Sequence, residues 1–373
     1  MRTPDIRPTS SLNAPAHPGR HRLRRGALAC AVALATLLGA CGGGDDDTTP
    51  SARSYYQVRM VENLAYGPSR PGNLLDLHLP QTGDGKALPL VIWHAGSAWL
   101  SNASKDAPMA SMAVQEFTAR GFAVATISIR SSLDARFPAQ GHDVRAAIRW
   151  LRENAATYNI DPDRFAFMGD SSGGWATAFA AATSGIAQLP GETVANGTSS
   201  AVQVAVPFYP PTDFLSMDSF AAAHTLPKGF AYPHDGKSSP EGLLIQCPGE
   251  PVPTAFPDAN PALASIQDCP AETRAANPIT YITGRAVPMW VMHGGADPLL
   301  PYNQSEGVYD AARAQGSVVR YTYVPTAVHD LTTILGASGA VTRTSSQGQE
   351  TRSEGRGPTW DDVETFVRDS FPR

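Results

Sequence analysis

Cysteine is scarce in this chain: four residues in 373, of which Cys30 and Cys41 fall in or beside the first apolar stretch. Cys247 and Cys269 remain as the only pair, enough for one disulfide in an oxidising compartment. No metal-ligand spacing is visible, so no metal site is expected. Long hydrophobic runs are lacking too. The apolar run at 27–38 falls short of the ~20 residues an ordinary membrane span needs. Positive charge is also outnumbered once the N-terminal stretch is set aside. Residues 1–40 hold six Arg and one Asp, a net +5 within a whole-chain −5, so the remainder stands at −10. An acidic surface repels phosphate backbones, which argues against nucleic acid as a partner. There are no internal repeats, and nothing in the sequence assigns an oligomeric state. With 42% hydrophobic residues, the chain has ample material for one large core.

What is present begins with an address. Arg2, Arg7, Arg20, Arg22, Arg24 and Arg25 precede the apolar run, the pattern of a secretory signal peptide. The run ends Leu38-Gly39-Ala40-Cys41, which resembles a bacterial lipobox. That resemblance implies a lipoprotein signal peptide over 1–40, with Cys41 the lipid anchor of a cell-envelope protein, on the periplasmic or outer-membrane face. Gly42-Gly43-Gly44-Asp45-Asp46-Asp47 opens a flexible tether expected over 41–54. Residues 55–373 are then the catalytic domain.

Its most informative stretch is Phe165-Ala-Phe-Met-Gly169-Asp-Ser171-Ser-Gly173-Gly-Trp175. Here a short apolar strand meets a glycine-bracketed serine and then a run of small residues suited to a helix. Gly169-x-Ser171-x-Gly173 is the pattern of a nucleophile elbow. The strand must turn sharply into the helix with Ser171 at the apex, and a Cβ at either bracket would collide across the turn. A helix starting at Ser172 would turn its free N–H groups toward a developing oxyanion.

Around the elbow, strands alternate with helices, which predicts a mostly parallel sheet of about eight strands with helices on both faces. Strands are expected at 56–62, 74–79, 88–93, 122–129, the elbow, 202–206, 287–292 and 318–324. Helices are expected at 107–120, 142–158, 303–315 and 359–371. Between about 210 and 285 the alternation lapses into Pro, Ser and Asp, longer than a connection ought to be. This reads as a cap inserted over the active site, clipped by Cys247 and Cys269. Residues 336–358, rich in Gly, Ser, Thr and Gln, read as a loose loop.

A serine hydroxyl needs a base, and the base an acid to hold it; in sheets of this kind the chain order is Ser, acid, His. His329 lies just past the last strand, and Asp297 is the first carboxylate after strand 287–292. The expected triad is therefore Ser171, Asp297 and His329. His293, at a strand end, is expected to have a structural hydrogen-bonding role, and Asp330 is the nearest alternative acid. A second oxyanion donor should come from the loop after 88–93, His94-Ala95-Gly96-Ser97-Ala98-Trp99. Ser97 and Ser172 are the expected donors. Trp99 is expected near the surface of the site, walling off a short acyl group or stacking on a ring, with a core anchor under the cap as the alternative, whereas Trp175 should pack against the sheet.

The His94–Trp99 loop resembles the His-Gly-Gly-Gly-Trp loop of hormone-sensitive-lipase-like and carbohydrate-active esterases. Phe137-Pro-Ala-Gln-Gly-His142-Asp-Val-Arg145 through Leu151 is similar to the helix before the elbow in the carbohydrate-esterase and feruloyl-esterase-like branch. Ala276-Asn277-Pro278 and Asp297-Pro298-Leu299 look like the same branch. The resemblance implies an α/β-hydrolase fold and hydrolysis of a carboxylic ester through an acyl-enzyme, without metal or cofactor. Short acyl or aryl esters, such as acetylated or feruloylated carbohydrate, are the implied substrates. Amide or formamide hydrolysis with the same triad is a second reaction class. A binding lipoprotein on an inactive scaffold is a third reading, against which the complete triad argues.

Overall fold

A computed structural model describes residues 55–194, 197–224, 233–251, 255 and 264–372. The expected signal peptide (1–40), Cys41 and the tether (41–54) lie outside the described residues, as do parts of the expected cap.

The chain runs β1 (Val58–Ala65), β2 (Leu74–Pro80), β3 (Leu88–His94), α1 (Pro108–Thr118), β4 (Ala123–Ile127), α2 (Ala139–Glu153), β5 (Ile160–Asp170) and α3 (Ser172–Ala182). It continues through β6 (Val204–Phe208), the short helices α4 (Met217–Ala223), α5 (Pro240–Ile245) and α6 (Pro270–Ala276), then β7 (Met289–Gly294) and α7 (Asn303–Ala314). β8 (Val319–Val324), α8 (Leu331–Ile334), β9 (Ser338–Ser346), β10 (Gln349–Arg356) and α9 (Trp360–Ser370) complete it.

The strands form one sheet in the order β1-β2-β4-β3-β5-β6-β7-β8-β9-β10. β4, β3, β5, β6, β7 and β8 are parallel neighbours, and the antiparallel strands lie at the two margins. Every residue of β3, β4, β6 and β7 is buried. A strand covered by helices on both faces reads in this way as a continuous apolar run, which is why these four were visible in the sequence. One face of the sheet packs Trp93 and Phe208 against Trp360 of α9; the other packs Phe165 and Phe167 with Val144, Ile148 and Phe179 of α2 and α3.

Two expectations change. The sheet has ten strands, because residues 338–356, read as a loose loop, form the β9–β10 hairpin on its margin. Gln347 and Gly348 both take positive φ, +51° and +77°, the backbone of a two-residue hairpin turn that follows the twist of its strands. β10 is exposed throughout and β9 mostly half-buried or buried, and their Ser, Thr, Arg and Glu residues show no buried apolar alternation. Arg343, paired with Asp310 and Glu350 and lying over the Tyr309 ring, ties the hairpin to α7.

The segment between β6 and β7 leaves the sheet and carries α4, α5 and α6. The Cys247–Cys269 disulfide, 22 residues apart, joins the end of α5 to the start of α6. This segment is stitched to the loop beyond β4 and to the first turn of α7: Phe137 N–H donates to Leu244 O, Gln246 Nε2 to Ser132 O, and Thr212 N–H to Gln304 Oε1.

Candidate active site

β5 carries the elbow out of the carboxyl edge of the sheet, where open α/β sheets place their ligands. Ser171 sits at φ +56°, ψ −122°, a backbone conformation that side chains rarely adopt and that is held here by its surroundings. Its N–H donates to Phe208 O at 3.0 Å, so the neighbouring strand end fixes the turn. The glycine bracket is required by close approach. A Cβ on Gly169 would lie 2.4 Å from His94 O and 2.6 Å from Gly173 O. One on Gly173 would lie 1.9 Å from His94 O. Both glycines make room for the carbonyl that opens the 94–99 loop.

That loop is tied to the elbow by two backbone donors. Gly96 N–H donates to Asp170 Oδ1 at 3.1 Å, and Ser97 N–H to Ser172 Oγ at 2.8 Å. Burial pushes the Asp170 carboxyl up to about 6, a rise that the Gly96 N–H restrains. Ser172 is the first residue of α3, so its own N–H has no acceptor within the helix and lies next to Ser171. The Ser97 N–H, expected as the second donor, is directed at the Ser172 hydroxyl, so Ser172 helps to position the loop as well.

Asp297 and His329 come from loops that follow β7 and β8. Asp297 Oδ1 accepts the N–H groups of Leu299 and Leu300 at 2.8 and 2.9 Å; Oδ2 accepts His329 Nδ1 at 2.7 Å. Burial by itself would raise the Asp297 carboxyl. The bonds from His293 and His329 outweigh it and hold the group well below the usual carboxylate range. His329 is 14% exposed, with its Nδ1 committed to Asp297 and Nε2 outside that bond. Among the described residues no hydrogen bond joins Ser171 Oγ to His329 Nε2; such bonds tighten when substrate arrives.

His293 takes the structural hydrogen-bonding role expected of it and adds a link to Asp297. Its Nε2 lies 3.1 Å from Leu300 O, which can only accept, so Nε2 carries the proton; it also lies 3.4 Å from Asp297 Oδ2. Nδ1 then accepts from Ser305 Oγ at 2.7 Å. His293 is thus a second donor toward Asp297, its tautomer set by its partners. Asp330 is occupied otherwise: its Oδ1 accepts the Thr332 N–H and caps α8.

Trp99 is where the structure departs from the sequence reading. It is 2% exposed and packs edge-on against Trp175 at 5.7 Å and Phe214 at 5.6 Å. Ala98 and Trp99 both take left-handed backbone, φ +52° and +59°, which carries the indole into the core. Its carbonyl accepts from Ser132 N–H at 2.8 Å. Trp99 is a core anchor under the inserted segment, and the expectation of a surface wall for the acyl chain is corrected. Trp175 lies beside it, stacked on Phe179 and donating Nε1–H to Ala276 O at 2.8 Å. Trp99→Ala is therefore expected to lower stability by about 3–5 kcal/mol. It should also depress kcat/KM by similar factors for acetyl, butyryl, hexanoyl and octanoyl esters. A selective gain on the longer esters would restore the pocket role.

The sequence reading missed Tyr209, Asp170 and the link from His293 to Asp297. Asp170 and Tyr209 both stand at the carboxyl ends of parallel strands, the one positional signal that could have marked them.

Comparison with known proteins agrees with this architecture. The chain is 30% identical over 273 residues to the esterase LipQ of Mycobacterium tuberculosis, covering 72% of this chain and 57% of LipQ, under two thirds of that relative's length. Among solved structures it matches a truncated carbohydrate esterase from gut microbiota with a TM-score of 0.60 at 28% identity, covering 75% of this chain and 92% of that one. It also matches a bifunctional GH43-CE protein of Bacteroides eggerthii with a TM-score of 0.57 at 30% identity, covering 73% and 36%. The fold is that of the α/β-hydrolase esterases, and the BD-FAE family model matches residues 75–311, so that with its elbow, its sheet and its relatives the chain belongs to the BD-FAE family.

Proposed function

We propose that this protein is a serine carboxylic-ester hydrolase that works through an acyl-enzyme. The observation that carries the reading is the 2.7 Å bond between Asp297 and His329 on the same sheet edge as Ser171, which stands at a strained elbow beside a free helix N-terminus. Ser171 Oγ attacks the ester carbonyl while His329 Nε2 takes its proton. Asp297 holds the imidazole through Nδ1 and balances the charge it gains. The Ser172 N–H receives the developing oxyanion. Collapse expels the alcohol, protonated by His329. Water, deprotonated by the same nitrogen, then attacks the acyl-serine and releases the acid, and the proton returns to Ser171.

Short acyl or aryl esters are the proposed substrates, with acetylated or feruloylated carbohydrate as the natural class; the carbohydrate esterases among the structural relatives support this choice. Delivery to the cell envelope through Cys41 belongs to the same proposal and rests on the arginine-rich leader and its Leu-Gly-Ala-Cys ending. The test is a panel of 4-nitrophenyl esters, acetylxylan, methyl ferulate and N-formylkynurenine. Turnover of the esters, abolished by Ser171→Ala, is expected. Cleavage of N-formylkynurenine alone would overturn the ester reading in favour of formamide hydrolysis.

A further inference from the structure

From the geometry at the end of β6 we infer that Tyr209 is a positioning residue for the base, holding the plane of the His329 imidazole while its neighbour holds the nucleophile. The inference rests on the proposed roles of Ser171 and His329.

Tyr209 follows Phe208, the residue whose carbonyl accepts the Ser171 N–H. Its own N–H donates to Met292 O at 2.7 Å, and its backbone takes φ +36°, a left-handed conformation that a tyrosine adopts only when held there. The side chain is 2% exposed, and its ring centroid lies 4.4 Å from that of His329, with the planes tilted by 51°. Its hydroxyl oxygen accepts the Leu331 N–H at 3.2 Å, two residues beyond His329. Burial, reinforced by the negative charge of Asp170, pushes the phenol far up, so it stays neutral in this acidic neighbourhood.

A single hydrogen bond from Nδ1 to Asp297 leaves the imidazole free to hinge about that axis, which would swing Nε2 away from Ser171. A wall on one face removes that freedom. The Tyr209 ring is that wall, and its hydroxyl fixes the backbone just after the histidine. A tyrosine that only filled the core would need neither the left-handed backbone nor the bond to Leu331. The Phe208–Tyr209 turn thus holds the Ser171 backbone by a carbonyl and the His329 ring by a phenol, setting nucleophile and base from one strand end.

The test compares Tyr209→Leu and Tyr209→Phe in the full chain, with 4-nitrophenyl acetate as substrate and a fluorophosphonate as a reporter of serine activation. Tyr209→Leu is expected to lose about 10- to 100-fold in kcat with KM within about twofold, because misplacing a catalytic group by about 1 Å costs that much. The fluorophosphonate labelling rate should fall by the same factor. Tyr209→Phe keeps the wall and should retain kcat within about threefold of wild type. If the leucine variant does not fold, Tyr209→Met fills similar volume without a planar face and should give the same split. Active wild type with an equally active, folded Tyr209→Leu or Tyr209→Met overturns the inference alone. So does a Tyr209→Phe variant that loses as much kcat as Tyr209→Leu. A wild type that neither turns over esters nor labels overturns the hydrolase reading, and this inference with it.

Discussion

Ser171→Ala is expected to lower kcat by about 10⁴- to 10⁶-fold with little change in KM, and His329→Ala to do nearly the same. In the proposed mechanism the serine supplies the attacking oxygen and the histidine the proton acceptor, so neither works without the other. The double variant should be hardly worse than either single one. Ground-state binding does not use the nucleophile's lone pair, which is why KM should stay in place. The Ser171 N–H donates to Phe208 O and the elbow glycines sit against the His94 carbonyl, contacts that involve no Ser171 side-chain atom. The alanine variant should therefore fold with a melting temperature near that of wild type. Fluorophosphonate labelling reads the same chemistry independently: wild type labels, both variants do not. Ester turnover surviving in Ser171→Ala would move the nucleophile elsewhere.

Asp297→Asn should cost about 10³- to 10⁴-fold in kcat although it changes a single atom. The Asp297 carboxylate divides its work, with Oδ1 accepting the Leu299 and Leu300 N–H groups and Oδ2 accepting from His329 Nδ1. An asparagine has one oxygen. If that oxygen stays with the two backbone donors, the amide N–H₂ turns to His329 and can only donate. The imidazole must then accept at Nδ1 and carry its proton on Nε2, the wrong tautomer for taking a proton from Ser171. Asp330→Asn, which touches only the cap of α8, should leave kcat within a few-fold and so separates the two carboxylates.

The same substitution has a signature in stability. Asp297 is held below its ordinary range in the folded chain, so its ionised form contributes stability that is fully present above the unfolded carboxylate value of about 4. That contribution is lost as pH falls below this value toward the depressed folded one. Urea midpoints measured at pH 7 and pH 3 should therefore fall less steeply for Asp297→Asn than for wild type. Equal losses in the two proteins would mean that Asp297 is not held low.

Several features were legible because local sequence carries their physics. A strand buried on both faces has to be apolar throughout, so the runs at 88–93, 122–129, 202–206 and 287–292 stood out, and the strands lie within a few residues of them. A backbone that must pass within contact distance of another has to be glycine, so Gly169 and Gly173 marked the elbow. The chain order of serine, carboxylate and histidine at successive strand ends pointed to Asp297 and His329, and these two do meet in a hydrogen bond.

Other features depended on neighbours distant in the chain. The β9–β10 hairpin is polar and mostly exposed, so it shows no hydrophobic period; its strand form comes from pairing with β8 and from one two-residue turn. Trp99 looked like a pocket wall because it follows the oxyanion loop. Two left-handed residues, which no periodicity reveals, turned it into the core against Trp175 and Phe214. The direction of the Ser97 N–H was settled by a hydroxyl 75 positions away.

By itself the sequence determined the fold class, the glycine-bracketed elbow and the identity of the three candidate catalytic side chains, since each depends on residue type at a strand end. Tertiary structure alone decided where the loop N–H groups point, that Trp99 is buried beside Trp175, and that His293 and Tyr209 lie against Asp297 and His329. Those outcomes turn on backbone direction and on contacts between segments brought together only when the sheet assembles.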